Sequence, residues 1–313
     1  MDNKYIVLII AIVIVLVGAG AYLYANSSDP DTVNIGYLPS DHHAALLIAE
    51  AEKKYESKGV KVNLVKFDNG GNLMTAMANG EVDVGYVGIT PALSSISKGV
   101  PVKIVSSVQE EGSGIVVPDD SGISNVSDLK DKKVATPDPS SIQYMLLLYA
   151  LKEANLDKND LTISSLKSPQ LVDAIKTKKL DGIVAFEPFV TQAVLNANGT
   201  EIASSNDILP EHPCCVIVAR EDFITNHEDK LKTILDIHNE TTEYILKNPE
   251  EAATKLPADQ FDVNVEKVAM KNIKFTSGLS DDYKNKVKDF MNIEIDLGLI
   301  EKALDINKIF QTI

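Results

Sequence analysis

Residues 77–93 read MANGEVDVGYVGITPAL, and the order of these residues decides the fold. A helical run over 71–79 ends inside the stretch, a β-rich run occupies 82–87, and a second helical run covers 90–98. Pro91 sits where its fixed φ suits a first helical turn. The stretch is one strand feeding one helix through the short loop Gly88, Ile89 and Thr90, which is the repeating unit of an α/β sheet.

The same alternation extends to both sides. Strand-like runs at 32–38, 61–67 and 102–108 are separated by helical runs at 42–57, 71–79 and 90–98. After the polar segment at 118–132, strands at 133–136, 162–166 and 181–186 alternate with helices at 140–154, 169–178 and 188–197, and a further strand spans 214–219. From 228 onward the chain reads as helix almost throughout, over 228–247, 263–273 and 281–298. The expected architecture is two α/β lobes, each a mostly parallel sheet flanked by helices. The first lobe is discontinuous, 32–116 and 217–313, the second is 117–216, and GIVVP at 114–118 with CCVIVAR at 214–220 form a two-stranded hinge.

Composition narrows the function. The 313 residues carry a formal charge of −15. That balance argues against nucleic acid, because phosphate contacts need clustered Lys and Arg. Arg220 is the single arginine, so a bound anion is held by amides, hydroxyls, lysines or histidines and not by a guanidinium fork. Residues 5–25 form an uncharged run of 21, long enough to span a hydrocarbon core of about 30 Å. It reads as a single-pass membrane anchor with the body outside the cytoplasm, followed by a linker at 26–31. AGA at 19–21 leaves a cleaved export signal as the alternative.

In open α/β sheets, ligands bind beyond the carboxyl ends of the strands, so the loops there carry the candidate residues. PSDHH at 39–43 follows the first strand: Ser40 or Asp41 suits an N-cap, and His42 and His43 then occupy the first turn. Gly70, Gly71 and Asn72 follow the second strand and can present backbone amides to a ligand. Gly88, Ile89 and Thr90 repeat the arrangement after the third. In the second block, Thr136, Ser140 and Ser141 suit a small oxyanion, and Glu187 could receive an amine or hydroxyl.

No metal motif, P-loop, nucleophile elbow or dinucleotide fingerprint is present. Two adjacent histidines at a helix start point about 100° apart, so one metal shared by both is not expected, nor is a cofactor. Cys214 and Cys215 lie in a strand-like run and read as small apolar side chains on opposite faces, with a strained vicinal disulfide or a metal role as the alternatives.

The stretches VNIGYLPSDHHAALLIAE, MANGEVDVGYVGITPAL, DLKDKKVATPDPSSIQYMLL, KTKKLDGIVAFEPF and HPCCVIVAREDFI resemble the substrate-binding proteins of ABC importers for nitrate, sulfonate and taurine. The resemblance covers about 32–250 and, with the anchor, is closest to archaeal members. It implies a type II periplasmic-binding fold, a monomer, a small anionic solute in the cleft, and delivery to a permease driven by an ATPase. The family's ligand loops fall on the strand-end residues named above. Two alternatives come with it. One is a receptor for an aminomethyl-pyrimidine, with Glu187 on the amine and Tyr37, Tyr86 or Phe186 on the ring; the other is an enzyme of pyrimidine or menaquinone-precursor synthesis.

Overall fold

The computed structural model describes residues 31–313. The expected anchor at 5–25 and the linker up to residue 30 lie outside the described residues. Among the described residues, no helix is long and apolar enough to cross a membrane.

The chain alternates as its patterning implies. β1 (Thr32–Tyr37) leads through a 3-10 turn into α1 (Ala44–Ala51), β2 (Lys61–Lys66) into α2 (Gly70–Ala78), and β3 (Val84–Gly88) into α3 (Ile89–Ser97). After β4 (Val102–Glu111), Gly112 hands the chain to β5 (Ser113–Pro118). There follow β6 (Lys133–Thr136), α4 (Ile142–Glu153), β7 (Thr162–Ser165), α5 (Ser168–Lys176), β8 (Gly182–Phe186), α6 (Phe189–Asn196) and β9 (Gly199–Ser204). β10 (Pro213–Arg220) precedes α7 (Glu228–Lys247), α8 (Pro249–Lys255), α9 (Val263–Ala269), β11 (Ile273–Gly278) and α10 (Asp281–Asp296).

These strands form two sheets, ordered β11-β4-β10-β3-β1-β2 and β7-β6-β8-β5-β9. Neither is mostly parallel by neighbour. β1 pairs parallel with β2 and β3, but β10 is antiparallel to both β3 and β4, and β11 is antiparallel to β4. In the second sheet β6 pairs parallel with β7 and β8, while β5 is antiparallel to β8 and β9. The reason lies in the strands at the crossings. β5 and β10 carry the chain from one sheet to the other, so they start at the end of the sheet where their parallel neighbours finish and run against them. The sheets change at Gly112 and between Ser204 and Pro213. Residues 113–116 therefore pair in the second sheet and 213–216 in the first, a few residues from the expected boundaries.

The opening stretch shows why its unit holds together. Gly80, at φ +78°, ends the turn after α2, a left-handed position that favours glycine. Asp83 Oδ2 accepts from the Asn34 amide at 2.9 Å, tying β3 to β1. A Cβ on Gly85 would lie 2.8 Å from both Leu73 and Met77, so glycine lets α2 settle close against β3. In β8, Ile183 and Ala185 join the core under α5 and α6, and Val184 joins the opposite core with Leu147 and Leu151 of α4. That period of two buries both faces of the second sheet.

Two expectations fail locally. The helix expected over 42–57 is broken at Lys53, which adopts φ 54°, and its first residues form a 3-10 turn over Asp41–His43. β11 interrupts the block expected to be helical. Its Ile273 and Phe275 are buried and Lys274 is exposed, a strand alternation too short to stand out beside the helical period of 263–273.

Candidate functional site

Ser40 caps the turn after β1. Its Oγ accepts from the His42 amide at 3.1 Å and donates to the Glu187 carbonyl oxygen at 2.8 Å, from the loop after β8. Asp41 is not a cap. It is fully buried, with Oδ2 unpartnered, and burial followed by the charges of Glu266 and Glu187 pushes its carboxyl well above the usual range. Glu266 is pushed up to about 7, chiefly by burial. Both acids are held toward their protonated forms by the same apolar surroundings.

His42 Nε2 lies 2.9 Å from the Gly112 carbonyl oxygen, which can only accept, so Nε2 carries the proton in the neutral ring and Nδ1 is left as an acceptor. Gly112 has φ +81°, and a Cβ there would stand 2.7 Å from His42 Nε2. His43 turns the other way. Its Nδ1 is 3.0 Å from the Leu38 carbonyl oxygen and 3.2 Å from the Leu38 amide, and its ring meets Tyr86 edge-on. Burial, then the neighbouring His42, pushes its pKa down to about 3, so the imidazole is neutral.

Both histidines line a cavity of about 50 Å³ between the sheets, together with Ser40, Gly70, Gly88 and Ser141. Leu38, Pro91 and Ile142, which the strand-end reading missed, supply apolar walls together with Phe186. Gln143, bonded to Ser113 at 2.9 Å, and the two cysteines complete the lining and were missed as well. Gln143 and Ile142 follow the cap Ser141 directly, and a reading that continued one turn into each helix would have found them. Of the aromatic residues considered for stacking, Phe186 lines the cavity, whereas Tyr86 lies in the core of the first sheet.

The remaining expected residues are elsewhere. Gly71 and Asn72 form the first turn of α2, where Asn69 caps by accepting from the Asn72 amide at 2.8 Å. Ile89 and Thr90 are buried beneath the cleft, with Thr90 beside Glu294 of α10. Thr136 is wholly buried, and Ser140 bonds to Asp138 Oδ1 through both its amide, 2.8 Å, and its hydroxyl, 2.6 Å. Glu187 is also occupied. Oε1 accepts from Thr191 Oγ1 at 3.0 Å and Asn272 Nδ2 at 2.7 Å, and Oε2 accepts from the Thr191 amide at 3.0 Å. It borders a separate polar cavity of about 220 Å³ with Glu201, whose pKa burial raises to about 7.

Cys214 and Cys215 do not face opposite ways as expected. Cys214 has no partner in either ladder of β10, and the register shifts on both sides of Cys215. This β-bulge re-aims the side chains, placing Sγ of Cys214 and of Cys215 at 3.7 and 3.9 Å from His42 Nδ1. Both thiols are reduced and buried.

A family model described as the NMT1-like family matches residues 26–256. The chain belongs to the NMT1-like family. Among curated relatives, the taurine-binding periplasmic protein of Escherichia coli is 26% identical over 70% of this chain and 68% of its own length. The putative aliphatic sulfonates-binding protein of Bacillus subtilis is 25% identical over 84% of this chain and 81% of its own. The solved alkanesulfonate-binding protein SsuA from Xanthomonas axonopodis pv. citri, bound to MOPS, superposes with a TM-score of 0.78 at 18% identity, covering 92% of this chain and 100% of that one. The nitrate-binding protein NrtA from Synechocystis gives 0.74 at 17% identity, over 90% and 86%. These structural likenesses establish the two-sheet periplasmic-binding fold.

Proposed function

We propose that this NMT1-like chain is the solute-binding component of an ABC importer, receiving a small organic anion of the sulfonate class between its two lobes for transfer to a permease driven by an ATPase. The observation that carries this reading is the convergence of helix starts on one cavity. Gly70 opens α2, Gly88 caps α3 and Ser141 caps α4, so three N-termini drawn from both sheets meet there. Unpaired amides and the positive ends of the helix dipoles favour negative charge at such a point. The names of the relatives point the same way.

A cavity of about 50 Å³ has room for about one water and not for a sulfonate. The solute therefore enters when the lobes part, which breaks the Ser40–Glu187 and Asn272–Glu187 bonds and the exposed Lys167–Asp68 pair at 2.7 Å. An amine-bearing pyrimidine would have to compete at Glu187 with Thr191 and Asn272, which already donate to its oxygens. The chain acts as a receptor and not as an enzyme, with its body outside the cytoplasm and residues 5–25 as its tether.

Thermal unfolding of the full chain with taurine, short alkanesulfonates and nitrate tests this. A true solute at a hundredfold excess over its dissociation constant adds about 2.7 kcal/mol of stability. If none of these anions raises the midpoint, the sulfonate reading fails.

A further inference from the structure

The chain has two cysteines, adjacent in sequence, and the bulge in β10 turns both toward one imidazole. The three donor atoms, His42 Nδ1 and the two Sγ, lie within 4.8 Å of one another, and all three residues are buried. A tetrahedral centre with metal–sulfur bonds of about 2.3 Å and a metal–nitrogen bond of about 2.0 Å sets nitrogen and sulfur about 3.6 Å apart. The observed separations of 3.7 and 3.9 Å come close to that spacing before any ion is present.

Two further observations single out this cluster. Gly112 holds the Nε2 proton of His42 at 2.9 Å, which fixes the tautomer and leaves the Nδ1 lone pair aimed at the sulfurs. Metal-ligating histidines are held by a backbone carbonyl in the same way. Moreover, that single lone pair accepts a proton from one thiol at a time, whereas a cation engages the nitrogen and both sulfurs together. His212, whose Nδ1 lies 2.9 Å from the Leu209 carbonyl oxygen, precedes Cys214 by two residues and leaves its Nε2 buried without a hydrogen-bond partner.

We propose that His42 Nδ1, Cys214 Sγ and Cys215 Sγ bind one thiophilic d10 cation, Zn2+, at the wall of the cleft cavity, with a fourth coordination position open to that cavity. Soft thiolate donors select Zn2+ or Cu+ among biological cations. Charge balance favours Zn2+ in a buried site: two thiolates neutralise it, whereas Cu+ leaves one negative charge uncompensated. Starting from two thiols, binding forms two metal–sulfur bonds and one metal–nitrogen bond and releases two protons to solvent. The site goes beyond the anion-receptor reading and does not depend on it.

The test uses the full chain, reduced and stripped with EDTA. It is titrated with Zn2+ alone against a chromogenic chelator, then separately with Cu+ and with Co2+ as a spectroscopic probe. One equivalent of Zn2+ is expected, and Co2+ should give thiolate-to-metal charge-transfer absorption. With no other cysteines in the chain, that absorption reports this site. Cys215→Ser and His42→Gln should each weaken Zn2+ at least tenfold, with circular dichroism confirming that the variants fold. The proposal is overturned if the reduced, folded parent takes up no stoichiometric Zn2+, takes up only Cu+, or binds Zn2+ with no cobalt–thiolate absorption. Taurine-induced thermal shifts of the metal-free chain are read separately, so failure of either hypothesis is seen without the other.

Discussion

The Ser40 hydroxyl donates across 2.8 Å to the carbonyl oxygen of Glu187, so the residue that caps the first turn after β1 is also bonded to the loop leaving β8 in the other sheet. Local helix capping and lobe closure thus share one side chain. Ser40→Ala removes both and should cost about 1–2 kcal/mol in urea unfolding. Small-angle scattering of the ligand-free variant should also give a larger radius of gyration than the parent. Unchanged scattering would separate the cap from closure.

Gly112→Ala should be more damaging than its position in a short connection suggests. The residue sits at φ +81°, and a methyl group would stand 2.7 Å from His42 Nε2. Backbone strain and the displaced imidazole together should lower stability by more than about 1 kcal/mol. The denaturation midpoint measures this, and a neutral substitution would mean that the His42–Gly112 bond contributes nothing.

Asn272→Ala removes the amide that reaches Glu187 from the segment before β11, leaving Oε1 with Thr191 alone. Leaving a buried acceptor without one of its partners costs about 1–3 kcal/mol. The variant should lose stability within that range and open more readily by scattering. If instead it changes neither and gains affinity for amines, Glu187 is a ligand group after all.

Among the buried groups that link stability to pH, Glu294 and His238 act with opposite sign. Burial raises Glu294 from 4.5 to about 8, so between those values the unfolded chain has released a proton that the folded chain keeps, and stability falls as pH rises. Burial lowers His238 from 6.5 to about 4, so between those values the unfolded chain binds a proton that the folded chain refuses, and stability falls as pH drops. Each contributes a slope of at most about 1.4 kcal/mol per pH unit. The two oppose each other from 4.5 to 6.5, and Glu294 acts without His238 from 6.5 to 8. Glu294→Gln should therefore flatten the alkaline decline relative to the parent, as read from urea midpoints across that range. Parallel curves would refute the assignment.

Much of the site could be read locally. Ser40 is recognisable as a cap because a short hydroxyl side chain precedes a helical run, and Gly70, Gly88 and Ser141 are recognisable because each stands between a strand and a helix. Glu187 looked the same by position, yet its oxygens are taken by Thr191 one turn on and by Asn272 from a distant segment. Thr90 occupied an apparently suitable loop but faces Glu294, because the first turn of α3 rotates it away from the cleft. Leu38 and Ile142 escaped notice because an apolar wall has no signature distinct from a core residue.

The amino-acid sequence by itself determined the alternation of strands and helices, the capped helix starts at their carboxyl ends, the exclusion of an arginine clamp, and membership of a binding-protein family. These follow from backbone propensity and periodicity, which act over one turn or one strand. The tertiary structure alone decided that β10 would enter between β3 and β4, that a bulge would turn Cys214 and Cys215 to one side, and that His42 would meet both them and Gly112. His42 is 70 residues from Gly112 and 172 from Cys214. Contacts across such separations depend on sheet order and register, which no short stretch of the chain encodes.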